Sequence, residues 1–177
     1  MKGRRGVLFC FRMENTRYKI PESVLIVIYT PRLEVLLLRR VEDAPDGQPF
    51  WQSVTGSKDA PEEPWDRTAR REVHEETGLR CDASAAQLQD WGLENIYPIY
   101  PQWRHRYAPG VWCNVERVFG LCVVDSEPVQ LSPNEHSDQA WLPWREAADR
   151  CYSSSNAEAI LQLPQRITPH YPRRRTL

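Results

Sequence analysis

Apolar positions in this chain fall into short blocks before they fall into a helical rhythm. Ser23 to Tyr29 is an almost unbroken apolar run, and Glu34 to Arg40 is a second, with Thr30, Pro31 and Arg32 between them. Blocks of this length bounded by turn residues predict two strands joined by a hairpin, the first antiparallel pair. Phe50 to Val54 continues with aromatic and β-branched residues, and Thr55, Gly56 and Ser57 should end that strand before a loop holding Pro61 and Pro64. The pattern then changes period. Pro64 suits a first helical position, Glu63 stands just before it, and Gly78 sits where helices commonly stop, so a helix is expected from about Pro64 to Thr77. Downstream, Val111 to Val124 and Gln139 to Leu142 are strand-like, while Arg145 to Arg150 and Ser155 to Leu163 are helical in pattern. Strands and helices mixed in this order predict an α/β domain layered around one sheet.

Composition narrows the class. A chain of 177 residues with 41% hydrophobic content is long enough for one domain with a real core. The formal charge of −1 offers no global field for nucleic acid, so any anion must be caught by a local cluster. Five scattered cysteines, Cys10, Cys81, Cys113, Cys122 and Cys151, have no CxxC pair, which fits reduced thiols in a cytoplasmic protein. No apolar run approaches the length of a membrane span. The domain is expected over residues 18–163. Residues 1–17 read as a leader, with Met13 as an alternative start. Residues 164–177 hold three prolines and the run Arg173, Arg174, Arg175, and are expected to be a mobile basic tail. Oligomeric state is not written in the pattern.

The chemistry gathers on the first helix. Glu72 and Glu76 are four residues apart and Glu75 is three from Glu72, so the three carboxylates share one helix face. Like charges at this spacing destabilise a helix by roughly 0.2–0.5 kcal/mol per pair unless a cation offsets them. Hard oxygen ligands of this kind select Mg²⁺, Mn²⁺ or Ca²⁺. Arg71, four residues before Glu75, is placed to orient a carboxylate or to bridge to a phosphate oxygen. Glutamate-rich helices are ordinarily solvated faces laced with lysine, but no lysine lies between Lys58 and the end of this helix.

Glu63, seven further residues, and then Arg71-Glu72-Val73-His74-Glu75-Glu76-Thr77-Gly78-Leu79 closely resemble the Nudix box. The resemblance implies a single α/β/α sandwich with a mixed sheet, and Mg²⁺-dependent hydrolysis of a pyrophosphate bond. It implies that Glu72 and Glu76 are principal metal ligands, that Glu75 is a further ligand or base, and that Arg71 orients them. One departure stands out: Gly56 and Glu63 enclose six residues where the family has five, so either the loop is one residue longer or Ser57 takes the glycine position. Glu135, in the loop Ser132-Pro133-Asn134-Glu135-His136, is a second candidate for base and metal ligand.

Outside the box, Phe50 to Ser57, Arg104 to Val111 and Asn114-Val115-Glu116 are similar to the bacterial dihydroneopterin triphosphate diphosphatases, a Nudix family of folate synthesis. The similarity runs from about Tyr18 to about Leu163. It implies a pterin triphosphate substrate, with contacts from Lys19 and Arg39, with Thr55 lining the site, and with Tyr97, Pro98, Ile99, Tyr100 and Ser153 facing the ligand. Arg104 and Arg106 belong to the one dense basic cluster of the domain and suit a triphosphate. Two alternatives remain at this point: a Nudix enzyme of nucleoside triphosphates or RNA ends, and a non-catalytic Nudix-fold binding module.

Overall fold

A computed structural model describes residues 18–81, 87–123 and 128–167. Seven strands form one mixed sheet: β1 (Glu22–Tyr29), β2 (Glu34–Arg40), β3 (Trp51–Gln52), β4 (Val54–Ser57), β5 (Gln87–Pro98), β6 (Cys113–Cys122) and β7 (His136–Pro143). The helices are α1 (Trp65–Thr77), α2 (Trp144–Arg150), α3 (Ser154–Leu161) and α4 (Leu163–Arg166), and a 3-10 helix covers Pro101–Arg106.

β1 lies at the centre, parallel to β6 from Glu22↔Val115 to Tyr29↔Cys122. A parallel central strand is covered on both faces, which is why its sequence is continuously apolar rather than alternating. Val24, Ile26 and Ile28 pack with Leu36 and Leu38 beneath Ala69 and Val73 of α1. Leu25, Val27 and Tyr29 pack with Val35 and Leu37 beneath Ala147, Ala148, Ala159, Ile160 and Leu163 of α2, α3 and α4. This is the expected α/β/α sandwich.

β1 and β2 form the expected hairpin but touch as strands only at Tyr29↔Val35. They splay beyond it, and the segment from Trp51 to Ser57 fills the gap, with β3 on β2 and β4 on β1. Thr55, Gly56 and Ser57 therefore continue the strand instead of ending it, because Leu25, Val24 and Ser23 offer them a free edge. Ser53, at the joint between β3 and β4, is stitched to α3: its N–H donates to Asn156 Oδ1 at 2.7 Å, and Asn156 Nδ2 donates to Ser53 Oγ at 2.9 Å.

Helix α1 starts one residue later than expected, with Pro64 as its extended N-cap, and ends at Gly78, whose φ of 69° lies in the left-handed region. β5 had no counterpart in the apolar pattern. It is the sheet edge, its side chains alternate between exposed and half-buried, and Gly92 bulges it between Asp90 and Leu93. At the other end the chain stays ordered past Leu163. Arg166 donates to the Trp91 carbonyl at 2.9 Å, so residues 164–166 form a helix against the domain and are no tail. The expected leader, residues 1–17, and the arginine run at 173–175 lie outside the described residues. None of Cys81, Cys113, Cys122 and Cys151 is in a disulfide, and no described helix is long and apolar enough to cross a membrane.

Candidate active site

A cavity of about 920 Å³ opens where β1 and β2 splay, with α1 on one side and β5, β6 and the start of α3 on the other. Glu72, Glu75, Glu76 and Glu135 line one end. Helix α1 delivers the first three from one face, as the spacing required, and the turn before β7 delivers the fourth. Glu76 and Glu72 are 2% and 8% exposed. Burial pushes the Glu72 carboxyl up to about 7 despite the Arg71 guanidinium beside it. Burial, with Glu135 facing it, pushes Glu76 well above the ordinary carboxylate range. Both shifts mark negative charge that the protein leaves only partly compensated.

Arg71 organises this end. Its guanidinium donates to Glu72 at 2.7 Å, Glu75 at 3.1 Å and Glu63 at 3.4 Å, and to the Ser57 carbonyl at 2.8 Å. Glu63 in turn accepts the Asp59 N–H at 2.7 Å, which folds the long loop back on itself and brings Glu63 to Arg71 despite the extra residue. Gly56, not Ser57, occupies the close-approach position: a Cβ there would stand 1.7 Å from Glu72 Cδ. Only a residue without a side chain lets that carboxylate lie against β4.

His136 is a participant that the chemistry of the box did not single out. Its Nε2 lies 2.9 Å from Glu76 Oε2, and ligand atoms of Glu76, Glu135 and His136 lie within 4.8 Å of one another. Burial depresses the imidazole to about 4, so the ring is neutral at neutral pH and shares one hydrogen bond with Glu76. Carboxylate oxygens dominate this donor set, which fits a hard divalent cation, with the imidazole orienting one ligand.

The other end of the cavity is polar and aromatic. Tyr97, Pro98, Ile99, Tyr100 and Ser153 line it; Thr55, whose Oγ1 accepts from Gln52 at 3.1 Å, lines the cavity where its backbone meets Glu76. Tyr100 meets Trp103 edge-to-face at 5.3 Å, and Trp103 lies 6.1 Å from Phe50, giving a wall of ring surfaces. Lys19, Arg104 and Arg106 stand along the cavity. Lys19 retains accessible surface, yet partial burial, with Arg106 nearby, lowers its ammonium pKa.

Arg39 departs from the expectation. It is not part of the cavity wall, and its guanidinium pairs with Asp43 at 3.6 Å. The next residue, Arg40, lines the cavity instead. Leu36 and Leu38 face α1, so the phase of β2 sends position 40 to the carboxylate side and position 39 to the opposite one.

Comparison with known proteins agrees with this geometry. A model of the NUDIX domain matches residues 19–163. The chain is 38% identical over 144 residues to a dihydroneopterin triphosphate diphosphatase of Haemophilus influenzae, covering 81% of this chain and 87% of that one. It is 38% identical over 150 residues to the protein of the same description from Escherichia coli, covering 85% and 96%. The solved structure of the E. coli dihydroneopterin triphosphate pyrophosphohydrolase superposes with a TM-score of 0.73 at 40% identity, over 82% of this chain and 95% of that one. A NUDIX hydrolase structure from Listeria monocytogenes, at 23% identity and a TM-score of 0.67, shares the fold. The carboxylate helix, the loop that returns Glu63 to Arg71 and the match along the whole described domain together make this chain a member of the Nudix family.

Proposed function

We propose that this protein is a Mg²⁺-dependent pyrophosphohydrolase that converts 7,8-dihydroneopterin triphosphate to the monophosphate with release of pyrophosphate, working in the cytoplasm where its thiols stay reduced. The observation that carries the reading is the continuity of one cavity from the α1 carboxylates to the aromatic wall, in a chain 38% identical over most of its length to enzymes described by that reaction.

Glu72, Glu76 and Glu135 are the residues that would hold the metal, with Glu75 as a further ligand. When bound, a divalent cation neutralises phosphate oxygens and makes a coordinated water more acidic. The chain's own groups do the remainder. Lys19, Arg40, Arg104 and Arg106 supply positive charge along the cavity for the triphosphate. Arg71 and His136 fix the carboxylates so that no reorganisation is needed as charge develops. A carboxylate oxygen of Glu135 or Glu75 accepts the proton of the attacking water. Tyr100, Trp103 and Phe50 offer ring surfaces for a flat heterocycle.

The test is a pyrophosphate-release assay with Mg²⁺ over dihydroneopterin triphosphate, common nucleoside triphosphates, ADP-ribose and dinucleoside polyphosphates. The pterin triphosphate should have the highest kcat/KM, with pyrophosphate as the released product. Equal efficiency on dGTP or ATP would refute the pterin assignment, and release of single phosphates would refute the pyrophosphohydrolase reading.

A further inference from the structure

The floor of the cavity carries two acceptors for which phosphate chemistry has no use. Asn114 and Glu116 lie two residues apart on β6, on one face of the strand, and both line the cavity at 2% and 4% exposure. Glu116 is surrounded by neutral donors. Asn95 Nδ2 at 3.2 Å and Ser155 Oγ at 3.1 Å donate to its Oε1, and the Tyr97 hydroxyl donates to Oε2 at 3.4 Å. Its ion pair with a cation is absent among the described residues, and burial raises its pKa. A buried carboxylate with no cationic side chain beside it is costly to maintain, and such groups concentrate where a ligand completes them.

Asn114 adds a second unmatched acceptor. Its Nδ2 donates to Ser23 Oγ at 2.6 Å, to the Tyr97 hydroxyl at 3.0 Å and to the Val115 carbonyl at 3.3 Å. A carbonyl only accepts, so the amide cannot be flipped, and Oδ1 is left buried with no partner. Asn114 Oδ1 lacks a donor and Glu116 lacks a cationic partner among the described residues; two acceptors and one negative charge facing a cavity describe the complement of an N–H edge.

We propose that Asn114 and Glu116 bind the ring end of the substrate by accepting hydrogen bonds from an amidine-type edge, the ring N–H and neighbouring exocyclic amino group of a 2-amino-4-oxopyrimidine ring. A carboxylate spans two such parallel donors as it spans a guanidinium. The same charge repels phosphate, so it also sets the direction of binding, ring against β6 and triphosphate toward α1. Adenine presents no such donor pair and is disfavoured, while guanine shares the edge with a pterin. The inference rests on the triphosphate reading above and names the specificity of that same site.

Two measurements separate it from that reading. Fluorescence titration with neopterin, which carries no phosphate, follows the ring subsite alone. Steady-state kinetics on GTP and ITP, which differ only by the exocyclic amino group, follow that donor in turnover. Glu116→Gln should weaken neopterin binding by about 30-fold or more and bring the GTP to ITP ratio of kcat/KM close to one, acting mainly through KM. Glu116→Asp, which keeps the charge but withdraws it, should give an intermediate loss and serves if the glutamine variant fails to fold. Unchanged neopterin affinity in a folded Glu116→Gln protein overturns the proposal. So does a uniform fall in kcat on every triphosphate with affinity retained, since that is what a merely structural carboxylate produces. If the wild-type protein prefers nucleotides to the pterin triphosphate, the proposed substrate falls, while the GTP to ITP ratio still judges this inference.

Discussion

Both ends of the cavity present acceptors without enough donors, yet they are made in opposite ways. At the acidic end Glu63, Glu72 and Glu75 converge on one guanidinium and Glu76 on one neutral imidazole, and the surplus negative charge calls for an ion. At the other end a single carboxylate accepts from an amide and two hydroxyls, and what it lacks is a positive partner. The first arrangement is carried mainly by α1, with Glu63 from the loop before it and Glu135 and His136 from the approach to β7. The second draws on β1, β5, β6 and α3. On the proposed reading, reaction chemistry travels mainly with one helix and substrate choice with the sheet, so that either can change while the other is kept.

That contrast breaks most sharply at the carboxylates proposed to hold the metal. Glu76→Gln or Glu72→Gln should lower turnover on the order of a thousandfold for every triphosphate, with circular dichroism unchanged, because each removes a charge aimed at the cation and none that packs the core. Retained turnover at saturating Mg²⁺ in either variant would remove the metal-site assignment. Gly56→Ala tests the same end without touching a charge. The new methyl displaces Glu72, and a shift of that size should reduce kcat by about a hundredfold. Arginine positions give a smaller and more discriminating effect. Arg40→Ala should raise KM about tenfold for pterin and nucleotide substrates alike, whereas Arg39→Ala, which loses only its pair with Asp43, should change KM less than about threefold. The reverse order would restore the assignment that resemblance alone suggested.

The smallest effect concerns pH. Glu116 keeps its proton in the folded state over a range where the unfolded chain has lost it, since its folded pKa is raised above 4.5. The folded state is thus favoured below that value, and the contribution is lost as pH rises from there through the raised pKa. Glu116→Gln removes the titration. Melting temperatures of the two proteins, followed from about pH 4 to pH 8, should diverge in favour of the variant by a few degrees. A constant difference would mean that Glu116 titrates as in water.

What the sequence disclosed follows the same division. Glu72, Glu75, Glu76 and Arg71 are neighbours on one helix, and helical geometry converts their spacing directly into a shared face. Gly78 signalled where that helix ends. Arg40 was missed and Arg39 preferred because a strand exchanges its faces at every residue, so one position of phase decides between cavity and exterior. His136 was legible only as a neighbour of Glu135; its contact with Glu76 spans 60 positions, and no local pattern encodes it. β5 escaped because an exposed edge strand has little apolar rhythm, and a bulge at Gly92 interrupts what there is.

The central place of β1 has a consequence for how the chain is made. Made before β6, β1 can form its turn with β2 and accept β4 while its parallel neighbour is still unsynthesised: Ser23 waits for Glu116 and Ile28 for Leu121. The helices that cover its second face follow later still, at Trp144–Arg150 and Ser154–Leu161. Long-range pairing of this sort delays folding until nearly the whole domain has been translated. Until then the most apolar segment of the protein has one face and one edge uncovered, and a nascent chain stalled before β6 is the species on which a chaperone would act.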